Sequence, residues 1–569
     1  MSASDQTAVR PGAGGTPHRA APGGAAEAGA PLRPSRTVAV VGTGTMGQGI
    51  AQVALVAGHP VRLHDTAPGR AAEAVAAIGA RLDRLVDKGR LDAAARDAAR
   101  ARLHPADALA ELADSALVVE AIAERLDAKR ELFRALEEIV SGECLLATNT
   151  SSLSVTAIAG GLRRPGRVVG LHFFNPAPLL PLVEVVSGFA TDPAVAECAR
   201  ATVAAWGKTP VSCADTPGFI VNRIARPFYA EAFAIHEDRA ADPATTDAVL
   251  RESGGFRMGP FELTDLIGQD VNEAVTHSVW ESFFRSPKFT PSLLQRRLVE
   301  AGLLGRKSGR GWYDHTAGAV RPEPHTAAPA GAPAYVIAEG GLGVAAELLE
   351  LIAESGVALR REAEDDGSKL VLPGGGQLVP ADGQTSGEFR DVVYFDLALD
   401  YRTAGRIALS AAPHTTARTL SEATGLFQAL GKKVSVIADV PGMIVARTVA
   451  MLIDLAADAV AKGVASEEDI DTAMRLGVSY PLGPLEWNRR LPSHWAHDLL
   501  EAVHERVPAG GRYAPSLALF QLSCARDEDG SGDGDGPHDG GGTGDGSRDG
   551  DGRPPGDGER HTDGGEAGS

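Results

Sequence analysis

Short unbroken apolar runs alternate with amphipathic stretches through the first third of the chain. Thr37-Val-Ala-Val-Val41, residues 60–64, Leu117-Val-Val-Glu-Ala-Ile122, residues 144–147, Val168-Val-Gly-Leu-His172 and Leu182-Val-Glu184-Val-Val186 all read as strands buried on both faces. Helical periods fill the gaps, over residues 48–57 and 127–139 among others. Strands alternating with helices in this way predict a mostly parallel sheet covered on both sides. Beyond residue 216 the pattern turns helical.

The pattern then repeats. Gly207-Lys208, Asp215, Pro217-Gly218, Ile220-Val221, Arg223, Asp247, Gly259-Pro260 and Glu262 recur 224 residues later as Gly431-Lys432, Asp439, Pro441-Gly442, Ile444-Val445, Arg447, Asp471, Gly483-Pro484 and Glu486. One ungapped register through so many identities marks a duplicated helical module. Each copy is expected to open on a strand (210–214 and 434–438), turn at Pro-Gly and continue as a long helix. Asn222 in the first copy is replaced by Ala446 in the second.

Gly42-Thr-Gly44-Thr45-Met46-Gly47 follows the first strand directly and opens the first helix. Gly42 allows the tight turn, Gly44 lets the backbone approach a pyrophosphate, and Gly47 permits close strand–helix packing. The helix N-terminus offers unpaired N–H groups to phosphates. Asp65 ends the second strand, 23 residues after Gly42, where an acid accepts the ribose hydroxyls and repels a 2′-phosphate. NAD is therefore favoured over NADP. Arg62, three residues earlier, is the one residue that argues against this preference.

The polar turn Thr148-Asn-Thr-Ser151-Ser152 follows the strand at 144–147 and has a plain alternative as a helix cap. His172 closes a strand, before aromatics and the turn Asn175-Pro. Glu184 sits among valines of the next strand, where a carboxylate needs a partner. A histidine from the neighbouring strand supplies one, and such a pair orients a general base. A satisfied core histidine beside an edge acid remains the alternative at this point.

These residues carry a resemblance. Residues 37–315 resemble an L-3-hydroxyacyl-CoA dehydrogenase in Val41-Gly-Thr-Gly-Thr-Met-Gly-Gln-Gly-Ile-Ala-Gln, Val119-Glu-Ala-Ile, Asn149-Thr-Ser-Ser-Leu, Gly170-Leu-His-Phe-Phe-Asn-Pro, Asp215-Thr-Pro-Gly-Phe-Ile-Val-Asn-Arg, Gly259-Pro-Phe-Glu-Leu and Gly305-Arg-Lys-Ser-Gly-Arg-Gly-Trp-Tyr. The resemblance implies His172 and Glu184 as the catalytic pair, with Ser151 and Asn222 contacting the substrate oxygen and thioester. It places Thr45, Met46, Asp65, Glu124, Lys129, Ser151 and Asn175 around NAD, and Lys88 near CoA. Arg81 stands where that family carries a serine. The implied reaction is oxidation of an L-3-hydroxyacyl-CoA to the 3-oxoacyl-CoA, as in β-oxidation. The lambda-crystallin-like sugar-acid dehydrogenases share the fold and the His–Glu pair, and are the alternative, together with an NAD-binding protein lacking acyl-CoA activity.

Residues 334–430 are a worn copy of the first domain. Gly341-Leu-Gly343-Val-Ala-Ala346 echoes the glycine turn and Glu364 echoes Asp65, but no His-Phe-Phe-Asn-Pro segment and no paired acid precede Gly431. The second half is therefore expected to be catalytically dead. One active dehydrogenase followed by such a half resembles the 3-hydroxyadipyl-CoA and 3-hydroxybutyryl-CoA dehydrogenases of bacterial phenylacetate catabolism. The expected organisation is a disordered leader (1–36), a Rossmann-like NAD-binding domain (37–215), a helical domain (216–315), a linker (316–333), a degenerate Rossmann-like domain (334–430), a second helical domain (431–525) and an acidic disordered tail (526–569). The second helical module is expected to pack on the first as a dimer partner would; a homodimer of the whole chain is a further expectation.

Charge adds mainly exclusions. Of the 569 residues 44% are hydrophobic and 23% charged, and the net charge is −19. Residues 527–569 hold 13 acids against 3 arginines, so over half of the excess lies in one Gly/Asp-rich segment. An acidic chain without a basic stripe is a poor nucleic-acid or anionic-membrane binder. No apolar run is long enough to span a bilayer, and residues 1–36 carry no apolar core of the signal-peptide kind. Cys144, Cys198, Cys213 and Cys524 lack metal spacing, so no metal is expected and a reduced, cytoplasmic setting is. Both expected ligands, NAD and CoA, are anions, which an acidic chain must hold locally through the Gly42–Gly47 helix end, Lys129 and Lys88.

Overall fold

The apolar runs of the first third become strands β1 (Val38–Val41), β2 (Val61–His64), β3 (Leu103–Ala106), β4 (Leu117–Glu120), β5 (Leu145–Thr148), β6 (Val168–Phe173), β7 (Leu182–Ser187) and β8 (Thr209–Ala214). This computed structural model describes residues 29–362 and 368–530. The strands form one sheet in the order β3-β2-β1-β4-β5-β6-β7-β8. Neighbours run parallel except β6 and β7, which are antiparallel. Alternate residues of β1 feed opposite cores, Val38 and Val40 on one face and Ala39 and Val41 on the other. That double burial is why the strand is continuously apolar.

A second sheet holds β9 (Tyr335–Glu339), β10 (Ala358–Glu362), β11 (Lys369–Val371), β12 (Gln377–Pro380), β13 (Val392–Phe395), β14 (Arg406–Ala411) and β15 (Lys433–Ile437), in the order β10-β9-β11-β12-β13-β14-β15. Its last three strands copy β6–β8, antiparallel and then parallel. They keep the 224-residue offset, as does the helix Ala417–Ala429 against Pro193–Ala205. The duplication therefore reaches back to residue 168, well before the identities begin. Beyond the Pro-Gly turn the copies differ. The second runs one helix, Val445–Ala461, whereas the first is divided into Val221–Ile224 and Arg226–Glu237. Pro227 lacks the N–H an uninterrupted helix needs, and Met451 occupies its position in the second copy.

The helical modules pack against each other about a pseudo-twofold. Arg223 of the first reaches Asp458 on the long helix of the second at 2.7 Å, and Arg447 of the second reaches Glu231 of the first at 2.9 Å. Each arginine is the other's repeat equivalent, so the contact has the reciprocity of an isologous dimer interface. One apolar core runs through it, from Phe228 and Phe256 to Tyr480 and Trp487.

Some boundaries shift. Residues 29–36, expected to be disordered, dock on the first domain: the Leu32 amide donates to Thr202 Oγ1 at 2.9 Å, and the Arg36 carbonyl meets His59 Nδ1 at 3.0 Å. The last helix, Leu517–Gly530, passes the expected start of the tail, and Arg526 donates to the carbonyls of Asn488 and Leu491. Residues 316–333 contain no helix or strand but form a bridge: His325 links Thr245 to Arg406 and Ser435. Residues 1–28, 531–569 and Glu364 lie outside the described residues.

Candidate active site

Antiparallel pairing of β6 and β7 sets His172 directly opposite Glu184. Nδ1 of His172 lies 2.6 Å from Glu184 Oε2, and both side chains are buried. The other carboxylate oxygen accepts the amides of Ile220 and Val221 at 3.1 and 2.9 Å. Glu184 is thus held from two sides, by the imidazole and by the start of the first helical module. Phe174 and Phe219 pack their rings against the imidazole at 4.5 and 5.8 Å. Nε2 of His172 has no hydrogen-bond partner among the described residues.

Ser151 and Asn222 meet across the domain boundary, Asn222 Nδ2 lying 3.5 Å from the Ser151 carbonyl. The turn carrying Ser151 wraps around Glu124, whose Oε1 accepts Thr150 Oγ1 at 2.6 Å, the Ser151 amide at 2.9 Å and the Ser152 amide at 3.1 Å. Burial pushes the Glu124 carboxyl up, but Lys129 and the donors of this turn outweigh it and hold it below the usual range. Asn149 is part of the same frame, its Oδ1 accepting the Phe173 amide at 2.9 Å beside His172.

The glycine turn behaves as its spacing demands. Gly42 has φ +99°, and a Cβ there would lie 2.4 Å from the Ala121 carbonyl oxygen. Gly44, by contrast, faces open space, and the helix Thr45–Val56 begins there without a side-chain cap. Its first N–H groups, at Thr45, Met46 and Gly47, are left to a ligand. Asp65 Oδ2 accepts the Thr43 amide and hydroxyl at 3.0 and 2.6 Å. Burial raises this carboxyl, but the Thr43 and Ala67 contacts prevail and keep it below its usual range. Arg62 does not compete for it. Its guanidinium is tied to Asp114 at 2.9 Å and to the Glu111 carbonyl. These residues fit NAD: an open, uncapped helix end for the pyrophosphate and an ionised acid for the ribose.

Two expectations about cations change. Lys129 is 1% exposed and committed to Glu120 at 2.5 Å and Glu124 at 3.2 Å, so its ammonium braces the site instead of facing an anion. Lys88 opens onto a cavity instead. It lines this space of about 500 Å³ with Arg81, Arg84 and Arg90 on one side and Asn175, Pro176 and Leu179 on the other, reaching Thr45 at the helix end. Among the described residues no carboxylate lines this cavity. Arg81 thus replaces a hydroxyl with a cation in a place suited to phosphates. Arg84 and Arg90 were not foreseen, because arginines on an amphipathic helix and in the turn after it read as a solvated face.

In the second half Asp396 occupies the repeat position of His172 and Ala408 that of Glu184. Asp396 takes over the acceptor role alone, receiving the amides of Ile444, Val445 and Ala446 at 3.1, 2.8 and 3.0 Å. The structural half of the pair survives and the imidazole is gone. The echo of the glycine turn has also decayed. Leu342 takes the left-handed conformation (φ 57°), and the helix that follows carries Glu347 and Glu350 in its first turn, where their charge repels a phosphate. Cys144, Cys198, Cys213 and Cys524 are all unpaired, and no helix among the described residues is long and apolar enough to cross a membrane.

Comparison with known proteins follows the same division. Residues 37–216 match the family described as "3-hydroxyacyl-CoA dehydrogenase, NAD binding domain", and residues 218–315 and 442–534 match its "C-terminal domain". Residues 378–441 match a "3-hydroxybutyryl-CoA dehydrogenase reduced Rossmann-fold domain". The chain is 44% identical over 492 residues to the 3-hydroxyadipyl-CoA dehydrogenase of Escherichia coli K12, covering 85% of this chain and 97% of that one. It is 41% identical over 276 residues to a probable 3-hydroxybutyryl-CoA dehydrogenase of Deinococcus radiodurans, covering 48% of this chain and 99% of that one. Among solved structures, an E. coli K12 protein titled 3-hydroxybutyryl-CoA dehydrogenase matches with a TM-score of 0.79 and 42% identity, covering 87% of this chain and 99% of that one.

Proposed function

The chain belongs to the 3-hydroxyacyl-CoA dehydrogenase family, and on that premise we propose that its first half oxidises an L-3-hydroxyacyl-CoA to the 3-oxoacyl-CoA, with His172 as general base. The acyl group is 3-hydroxyadipyl or 3-hydroxybutyryl, as the names of the similar proteins suggest. The observation that carries the reading is the buried His172–Glu184 contact of 2.6 Å, made through Nδ1 so that Nε2 is left free; Glu184 in turn holds the amide of Val221, whose neighbour Asn222 meets Ser151. With Nδ1–H donating to the carboxylate, the neutral ring presents the Nε2 lone pair to the substrate's 3-hydroxyl.

Proton removal makes His172 an imidazolium, and Glu184 stabilises that charge at contact distance. The Ile220 and Val221 amides keep Glu184 from rotating away, so closure of the first helical module on the sheet and orientation of the base are one event. The Ser151 hydroxyl and the Asn222 amide fix the reacting oxygen and the thioester. Gly42, Gly44, Thr45, Met46 and Gly47 would hold the pyrophosphate of NAD and Asp65 its ribose, with Glu124 and Asn175 beside the same cofactor. NAD, when bound, supplies the hydride acceptor. Arg81, Arg84, Lys88 and Arg90 would hold the phosphates of CoA. The test is NADH oxidation by the purified chain with acetoacetyl-CoA against a sugar-derived keto acid. Turnover with the thioester alone supports the reading; turnover with the keto acid alone supports the lambda-crystallin-like alternative.

A further inference from the structure

Five arginines in the described residues are no more than 6% exposed, and four of them meet a carboxylate: Arg167 with Glu137, Arg223 with Asp458, Arg406 with Glu252 and Arg447 with Glu231. Arg226 has none. It is 5% exposed, donates from Nη1 to Thr276 Oγ1 at 2.9 Å and leaves Nε without an acceptor. A guanidinium taken out of water without an anion is costly, so an anion is the missing part of this arrangement.

Its surroundings suit one. The Arg226 guanidinium lies over the Tyr229 ring at 5.1 Å. Tyr480 arrives from the second module and packs its ring on Phe228, two residues after Arg226, at 5.6 Å; its buried hydroxyl also lacks a hydrogen-bond partner among the described residues. Ser479, with left-handed backbone (φ 57°), turns the chain just before it. A planar cation and an unsatisfied hydroxyl together suit a carboxylate, with two donors on one side and one on the other.

The position relative to the reacting end is what gives the site a substrate. Arg226 follows Asn222 by four residues across the short break between Val221–Ile224 and Arg226–Glu237, with Ala225 still in right-handed helical conformation, so the two lie about one helical turn apart along the chain. Asn222 meets Ser151 and its neighbour Val221 holds Glu184. From C3 to the terminal carbon of an adipyl chain is three C–C bonds of about 1.5 Å each, which with the reach of an arginine spans that turn. The repeat agrees. Arg447 keeps the module-bridging role of Arg223, but Ala446 and Ala450 replace Asn222 and Arg226, so the half without the histidine has lost both together.

We propose that Arg226, with Tyr480 from the second helical module, binds a carboxylate at the far end of the acyl chain and makes the enzyme selective for dicarboxylyl-CoA substrates. The proposal rests on the acyl-CoA reading above. The test is kcat/KM of the full chain for 3-hydroxyadipyl-CoA against 3-hydroxyhexanoyl-CoA, equal in length but ending in a methyl group. The wild type is expected to favour the dicarboxylyl substrate at least about 30-fold, a ratio in keeping with a charge-assisted hydrogen-bonded contact. Arg226→Met collapses that ratio towards one, mainly through KM, and Arg226→Lys restores part of it. Tyr480→Phe, which removes only the hydroxyl, lowers the ratio several-fold and carries the test should Arg226→Met fail to fold. A wild-type ratio near one, or equal losses on both substrates in these variants, overturns the proposal while leaving acyl-CoA oxidation intact. No turnover of either substrate, nor of acetoacetyl-CoA, overturns the acyl-CoA reading itself.

Discussion

Glu231→Gln is the sharpest test of how the two halves hold together. Glu231 is 1% exposed and meets three groups from the second module: it pairs with the Arg447 guanidinium, Nε lying 2.9 Å away, and accepts hydrogen bonds from Arg512 Nη2 at 2.7 Å and the Tyr513 hydroxyl at 3.0 Å. Arg447 is likewise 1% exposed. The glutamine keeps the shape and one acceptor but leaves two guanidiniums without their counter-charge. Removing one member of a buried ion pair costs about 3–5 kcal/mol, a folding constant smaller by at least about a hundredfold at 1.4 kcal/mol per tenfold. With a urea m-value of about 3 kcal/mol/M the midpoint falls by about 1 M or more, read from tryptophan fluorescence because Trp487 is buried at the same core. The control is Glu281→Gln, whose partner Arg285 is mostly exposed at 3.2 Å; surface pairs are worth about 0–1 kcal/mol. A Glu231→Gln midpoint no further from wild type than the control refutes the claim that this buried network fastens the modules.

Deleting residues 317–569 should expose the apolar face that Phe228 and Phe256 share with Tyr480 and Trp487, giving a fragment that aggregates on size exclusion; a monodisperse active monomer contradicts the internal-dimer account. Asp65→Ser should lower the NAD-over-NADP preference in kcat/KM at least about tenfold, and an unchanged ratio refutes the role of Asp65. Glu388 is held down to about 2 by its hydrogen-bonded contact with Arg506. A carboxyl lowered on folding contributes stability above its unfolded pKa, near 4, which is lost as pH falls towards 2. Glu388→Gln should therefore cost about 1 kcal/mol or less at pH 7, given the partial exposure of the pair, and the gap should shrink as pH falls from about 4; a gap that grows contradicts the pairing.

The glycine turn and Asp65 were legible because backbone geometry there admits few residue types. His172 and Glu184 were legible because a carboxylate among valines demands a partner. As a run of identical residues the duplication was legible only from Gly207, where turns, caps and ion pairs preserve identity; before that it showed only as the worn glycine turn at Gly341–Ala346. Across β6–β8 and β13–β15 register and length are kept while side chains drift, since any apolar residue of fitting size fills a core position. Lys129 read as a cation for a ligand because sequence cannot show that Glu120, nine residues earlier, points back at it. Arg84 and Arg90 gained meaning only when the Pro176–Leu179 segment was seen to close the cavity over them. Nothing in the sequence joined Glu184 to the Val221 amide, a contact 37 residues apart that exists only when sheet and helical module meet.

The central claim is that His172, oriented by Glu184, removes the hydroxyl proton without holding the cofactor. Comparing kcat for acetoacetyl-CoA reduction with the Kd for NADH in His172→Gln tests it most directly, because the glutamine still reaches Glu184 but cannot exchange a proton. In His172→Gln kcat should fall at least about a thousandfold, near the upper range for a general acid or base, while the NADH Kd stays within about threefold of wild type. Loss of both in parallel, or a kcat within tenfold of wild type, would contradict it.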